Sequence, residues 1–451
     1  MKNQKSKPSL AVKMGIALAL GIIAGFLFMF LRESLNSSGN GDIWNTINNI
    51  LFQDITAEGA TSAIGLFYII GQMFIRALQL VIIPMVFTSI ALAIGTISDT
   101  KTLGRISFKT ISWFLLCYLF ALLLAGIVGL SLFNAGFFNV SDLSGLEASS
   151  GTTGSNPLLV VLNMVPSNVA TAFSNNTAVL AIVFLAVSLG LAMNVLGEEK
   201  TATLKNFLKE LNDVIVVFLN FVVTKFGPLA IFVLLSRTFA TYGIDYLKPA
   251  LVYAVTTIIL LLLFLTVGYS LIIWIGTKLN PIMFLKKIAK VIVFAFSTSS
   301  SAAALPLNLE TTTNELGVDT KIASFVLPLG MTVNMNGNAI MQVIATLFIA
   351  GCAGYDVTPL SLLVISLLSL VASVGTPAAP GAGAVILFTI LSGVGFTNDG
   401  ALLAYGLILA INRPIEMLMT TLNVVGDSCT SVYVAKSEGL LNKDVYNSKV
   451  K

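Results

Sequence analysis

Apolar residues in this chain come in long runs and do not alternate with polar ones. Leu251 to Ile275 carries no charge and shows no period of two. A membrane strand would instead alternate over about 10 residues, so the runs predict helices. A helix rising about 1.5 Å per residue needs roughly 20 apolar residues to cross about 30 Å of hydrocarbon. Runs of that length predict spans at 11–31, 62–96 with Pro84 inside, 106–134, 211–241 and 249–276, and a broken fourth element over 158–196. The Gly-, Ser- and Asn-rich stretch 138–157 reads as an outside loop.

After residue 285 the pattern changes. Small and polar residues interrupt apolar segments at 294–306, 329–339 and 371–384. Gly, Pro and Ser are poor helix interiors and leave backbone groups without helical partners. At membrane depth such backbone survives only inside protein or beside a water-filled cavity. A small-residue segment followed by a polar-bearing helix occurs twice, 286–317 with 322–350 and 358–394 with 400–434. Paired breaks in repeated halves point to a transporter binding site. The last helix adds Arg413, Glu416 and Asp427, ionisable residues in an apolar span, which mark function by default. Glu416, Thr420, Asn423 and Asp427 fall within about 60° on a helical wheel and form one polar stripe. Arg413, three residues before Glu416, is within reach of it as an ion pair.

Composition agrees with a polytopic membrane protein. The chain has 451 residues, 56% hydrophobic and 10% charged, where soluble domains carry about 25% charged residues. Mean hydropathy is +0.93. Lys and Arg cluster at Lys2–Lys13, Lys101–Lys109, Lys200–Lys209, Lys278–Lys290 and Lys436–Lys451, whereas 39–62 and 139–157 contain neither. The positive-inside rule then puts both termini in the cytoplasm, and the first apolar run reads as a retained helix. The basic clusters are short loops between spans, so nucleic acid is not an expected partner; the lipid bilayer is. Cys117, Cys352 and Cys429 show neither a disulfide framework nor metal spacing. With no histidine in the chain, His metal ligands, His proton relays and Ser-His or Cys-His nucleophiles are excluded.

The remaining chemistry is that of a carrier. Asn334, Asn423, Asp427 and backbone carbonyls at the breaks are hard oxygen ligands suited to a small cation. Backbone N–H groups at 300–302 and 378–381 suit a carboxylate, as helix N-termini do. Glu416 suits a substrate ammonium. An ion channel is the competing class, but it favours a ring of equivalent groups around a pore. A membrane enzyme comes third, with Ser299, Ser300 and Ser301 as nucleophiles lacking a nearby base.

At these segments the sequence resembles the dicarboxylate/amino acid:cation symporters, the glutamate transporter family. The matching motifs are Ser299–Ser301 with Leu305-Pro306, Asn334-Met335-Asn336-Gly337, Pro380-Gly381-Ala382-Gly383-Ala384 and Asn423-Val424-Val425-Gly426-Asp427. They stand in family order, and the resemblance runs from about 11 to 435. It implies an all-α membrane protein of eight transmembrane helices and two re-entrant hairpins, a homotrimer whose transport domains move as elevators against a scaffold. Residues 1–10 would be a cytoplasmic N-terminus. Residues 11–241 would be mostly scaffold and trimerisation helices, the third moving with the transport part. Residues 249–434 would be the transport core, with 286–317 the cytoplasmic hairpin and 358–394 the external one, and 435–451 a cytoplasmic tail.

Carried over by residue, one sodium site maps to Asn334, Asn423, Asp427 and the Gly330 carbonyl. A second maps to Thr332, Met335 and carbonyls near Ser373 to Thr376. The substrate carboxylate would meet Asn423 and hairpin N–H groups around Ser300, Ser301, Ala379, Pro380 and Gly381. Glu416 stands where the family has an aspartate for the amino group, followed by Thr420, and Asn338 stands where it often has a threonine. The resemblance implies no covalent cofactor, only a co-transported cation, sodium or proton. Three departures matter. Asn336 replaces a family aspartate, Cys117-Tyr118 replaces a Thr-Ser pair, and Met419 replaces the arginine that binds an acidic side chain. The first two dismantle one cation site, so at most two sodium ions are expected per substrate. The third favours a neutral side chain over a dicarboxylate, with Arg413 the remaining candidate for a second carboxylate.

Overall fold

The computed structural model describes residues 10–448 except 58, 96–100, 141–161, 163, 176–177, 244–245, 375 and 377–380. Among the described residues every regular element is helical, and the one β-contact is an isolated antiparallel bridge between Val318 and Leu441. Most of the expected outside loop lies outside them.

The first half is built from α1 (Leu10–Ser37), α2 (Gly41–Leu51), α3 (Leu66–Gly95), α4 (Lys101–Asn134), the short α5 (Val169–Phe173), α6 (Val179–Leu196), α7 (Glu198–Phe221) and α8 (Gly227–Tyr242). A π-helical turn, Val222–Phe226, joins α7 to α8. On α1, Val12, Ile16, Leu20, Ile23, Leu27 and Phe30 are exposed at helical spacing, the stripe a lipid-facing helix needs. Its opposite side packs along α8. Gly21 and Gly25 permit this approach: a Cβ on Gly25 would stand 2.7 Å from the Phe239 Cβ. Helix α3 packs against α6, α7 and α8.

The second half begins with α9 (Leu247–Leu263), a π-helical turn at Phe264–Gly268 and α10 (Tyr269–Thr277). Then come two antiparallel hairpins, each followed by a broken rod. The first hairpin is α11 (Pro281–Thr298) and α12 (Ser301–Asn314). Ser299 turns it in the left-handed region at φ 50°, and the Ser300 side chain caps α12 by accepting from the Ala303 N–H. Next are α13 (Thr320–Val333) and α14 (Asn336–Ala353), then the second hairpin, α15 (Pro359–Val374) and α16 (Ala382–Val394), then α17 (Asp399–Ile411) and α18 (Arg413–Ser437), and last the short α19 (Lys443–Asn447). Every residue of α14 is buried. It is the axis of this half, touched by α4, α9, α15, α16, α17 and α18. The two halves meet where α8 packs on α17 and α3 on α16.

Among the described residues six helical stretches are long and apolar enough to cross a membrane: Val12–Ser37, Leu66–Leu92, Arg105–Asn134, Glu198–Thr241, Leu247–Thr277 and Thr320–Ala353; α17 with α18 makes a seventh if the bent pair is one span. Helices α15 and α16 and the apolar stretch 181–196 of α6 are shorter. The expected single helix 400–434 is instead bent by 71° between α17 and α18. Pro414 in the first turn of α18 has no N–H to continue α17, and Asn412 at the corner is held by the Tyr253 hydroxyl at 2.7 Å. Two more elements differ from expectation. Helix α2 occupies part of the stretch 39–62 that lacks Lys and Arg, and the charged run Lys200–Lys209 is helical, so α7 starts well before 211. Charge content marks loops poorly where a helix leaves the membrane.

Candidate functional site: a polar centre at a helix break

The rod α13–α14 breaks at Asn334 and Met335, whose ψ angles of 85° and 49° leave the helical range. Tyr118 on α4 fills the break. Its hydroxyl donates to the Val333 carbonyl and accepts from the Met335 N–H, both at 2.8 Å. One phenol thus satisfies two backbone groups that the break frees from helical partners.

Around the break lies a chain of amides ending on a carboxylate. Asn334 Nδ2 donates to Asp427 Oδ1 at 2.9 Å and to the Asn423 carbonyl at 3.3 Å. Asn336 Nδ2 donates to Asn334 Oδ1 at 2.9 Å and to Tyr269 Oη at 3.2 Å, and Tyr269 in turn donates to the Leu422 carbonyl at 3.1 Å. Asn423 Oδ1 accepts from the Gly337 N–H at 2.8 Å; its Nδ2 donates to Asn338 Oδ1 at 3.0 Å and meets Met335 Sδ at 3.1 Å. Asn334, Asn336, Asn338, Asn423 and Asp427 are all buried. None of the ion pairs among the described residues involves Asp427. Gly330 and Gly337 make the packing possible. A Cβ on Gly330 would stand 2.3 Å from Asp427 Oδ1, and one on Gly337 would stand 2.8 Å from the Met419 carbonyl.

The structure therefore gathers Gly330, Asn334, Met335, Asn338, Asn423 and Asp427 into one buried centre. Met419 adjoins it, wedged between Gly337, Asn338 and Gly383. The second expected cation group is less tightly drawn together. Met335 packs beside Leu370 and Val374 at the end of α15. Ser373 Oγ donates to Gln342 Oε1 at 3.0 Å, Thr376 Oγ1 to the Ala372 carbonyl at 2.9 Å and Thr332 Oγ1 to the Leu329 carbonyl at 3.0 Å. Ser301 opens α12 and Thr420 is half-buried on α18. Ala379 and Pro380 lie outside the described residues.

Arg413 and Glu416 are paired as their spacing predicts, Nη1 to Oε2 at 3.2 Å. With Gly381 they line a cavity of about 30 Å³, room for roughly a water. Its other walls include Phe74, Leu78, Val223 and Ile231 of the first half. The pair faces the junction between the halves. Sequence reasoning passed over Tyr269 and Gln342. A glutamine on a fully buried, mostly apolar helix is the signal that marks Gln342; a tyrosine in an apolar span marks nothing by itself.

Comparison with known proteins agrees with this architecture. The family model described as the sodium:dicarboxylate symporter family matches residues 10–437. The chain is 28% identical over 452 residues to the proton/glutamate-aspartate symporter of Escherichia coli, covering 97% of this chain and 94% of that protein. It is 28% identical over 384 residues to the proton/sodium-glutamate symport protein of Bacillus caldotenax, covering 83% and 88%. It is 27% identical over 445 residues to the C4-dicarboxylate transport protein of Deinococcus deserti, covering 97% and 91%. The apolar helices, the broken rods around a buried carboxylate and a family match over nearly the whole length lead to one conclusion: the chain belongs to the sodium:dicarboxylate symporter family, and is an integral membrane symporter, not an enzyme.

Proposed function

We propose that this protein couples inward movement of a cation, sodium or proton, to uptake of a small amino acid across the cytoplasmic membrane, and that it prefers neutral side chains. The observation that carries the reading is Asp427, a buried carboxylate that accepts a hydrogen bond from an amide, Asn334, and forms none of the ion pairs among the described residues. An unpaired carboxylate in low dielectric is costly, so a mobile cation is its natural complement. The Gly330 carbonyl accepts from the Asn334 N–H at 2.8 Å and the Asn423 carbonyl from Asn334 Nδ2 at 3.3 Å, so both stand beside the amide that faces Asp427. A second cation site uses Thr332, Met335, Ser373 and Thr376, and the replacements Asn336 and Cys117-Tyr118 at the family's third site keep the count at two at most.

Substrate binds beside this centre, its carboxylate on Asn423 and on N–H groups of the hairpin tips at Ser300, Ser301, Ala379 and Gly381, with Pro380, which has no N–H, shaping the second tip. Its side chain points toward Asn338, Met419 and Thr420. Met419 is apolar and adaptable and supplies no counter-charge. Arg413, engaged by Glu416 at 3.2 Å, is not free to supply one. The second half of the chain moves as the transport part, α4 with it, against the helices of the first half, in a trimer with both termini cytoplasmic. A dicarboxylate substrate is the second reading, favoured by the names of the relatives above. Competition of neutral amino acids against aspartate, glutamate and succinate decides between them. Neutral preference turned toward acids by Met419→Arg supports our reading. Strong acid binding in the native protein, lost in Arg413→Ala, supports the second.

A further inference from the structure

Asn336 is fully buried in the first turn of α14, and its two terminal atoms are used unequally. Nδ2 donates twice, to Asn334 Oδ1 at 2.9 Å and to Tyr269 Oη at 3.2 Å. Oδ1 has no hydrogen-bond partner among the described residues. A buried carbonyl oxygen without a donor is costly, so packing alone does not account for an asparagine here. Its effect falls on Asn334. That amide is planar, so an oxygen fixed on Asn336 fixes the NH2 on the other side, toward Asp427 Oδ1 at 2.9 Å. Asn334 thereby shows Asp427 a donor and withholds its side-chain oxygen.

We propose that Asn336 is a positioning residue that sets cation affinity at Asp427, because its NH2 competes with the cation for the side-chain oxygen of Asn334. The inference rests on Asp427 being a cation ligand. When the cation arrives, Asn334 turns its oxygen to the ion and its NH2 to Asn336. Asn336 turns as well and offers the oxygen that otherwise has no partner. The Tyr269 hydroxyl both donates and accepts, so it serves either arrangement. Without a cation the first arrangement holds, since it gives Asp427 a donor. The cost of turning two amides is taken from the binding energy of the ion, which lowers its apparent affinity. A carboxylate at 336 cannot donate. It would hold the NH2 of Asn334 and leave the oxygen aimed at Asp427, while adding charge for the cation.

The test uses purified full-length protein in detergent, without substrate. The melting temperature is titrated with sodium against choline at constant ionic strength, since a ligand of the folded state raises it in proportion to occupancy. Asn336→Asp is expected to lower the half-saturating sodium concentration about tenfold or more. Asp427→Asn alone should raise the half-saturating sodium concentration about tenfold or more, any remaining response being that of the second cation site. The swap Asn336→Asp with Asp427→Asn keeps one carboxylate, on the other side of the Asn334 amide, and should lower that concentration again. It also carries the test if the two-carboxylate variant does not fold. An unchanged or weaker sodium midpoint in Asn336→Asp, or a swap no better than Asp427→Asn, overturns the role of Asn336. A sodium midpoint unchanged in Asp427→Asn instead overturns the reading of Asp427 itself.

Discussion

Gly330 and Asp427 touch across α13 and α18 with room for nothing larger than hydrogen. The Cβ of Gly330→Ala would lie 2.3 Å from Oδ1, well inside contact distance, and Phe114 closes another side at 3.1 Å. The carboxylate must move, because both helices are buried here. Gly330→Ala is expected to weaken apparent cation affinity in transport by roughly tenfold, about 1.4 kcal/mol, with the protein still assembled as judged by size-exclusion profile. An unchanged cation dependence would mean that the position of Asp427 is immaterial. Residues of this centre were legible in the sequence to different degrees. Asn334, Asn423 and Asp427 stand out because a polar side chain at membrane depth needs a reason. Tyr118 drew notice only as a departure from the family pattern. Its role depends on α4 crossing the break in α13–α14, a tertiary contact that no local pattern encodes.

The elements that carry these residues are tied together at one end by the C-terminal segment. Lys287 of α11 donates to the carbonyls of Glu315 at 2.9 Å and Val445 at 2.5 Å. Tyr446 is fully buried and donates to the Asn280 carbonyl at 3.0 Å. The Asn442 N–H donates to the Gly317 carbonyl at 2.8 Å beside the Val318–Leu441 bridge. Both arms of the first hairpin are thus fastened to the end of α18. Tyr446→Ala should cost about 3–5 kcal/mol, the range for deleting a buried aromatic side chain, and speed amide exchange at the base of α11. Unaltered exchange there would show that the strap does not hold the hairpin. Just before it, Glu438 takes hydrogen bonds from Lys109 at 2.5 Å and Arg105 at 2.6 Å, which hold its carboxyl below the usual glutamate value. A depressed folded value means stabilisation that is present above about pH 4.3 and lost as the pH falls through the lower folded value. Glu438→Gln should lack that acid-side loss. The hairpins and the rod break were legible from runs of small residues. The bend at Asn412 was not, because Pro414 is compatible with both a continuous, kinked helix and a new start, and the contact with Tyr253 decides between them.

At the scale of the whole molecule, the helices of the first half and the buried axis α14 with its neighbours meet along α3, α8, α16 and α17. Arg413 and Glu416, which line the cavity at this junction, neutralise each other beside apolar walls. The bulk of the apolar spans was legible from length and hydropathy alone, whereas a division near residue 245 came only from the family resemblance, since hydropathy says nothing of which helix packs on which. The account's central claim is that a cation gradient drives solute uptake through the Asp427 centre. Its most direct test is uptake by purified protein in sealed liposomes, over a panel of amino acids and dicarboxylates, with sodium and pH gradients imposed separately. The account predicts accumulation of a neutral amino acid that requires an inward cation gradient and is lost in Asp427→Asn. Solute uptake indifferent to both gradients, or ion current without solute uptake, would contradict it.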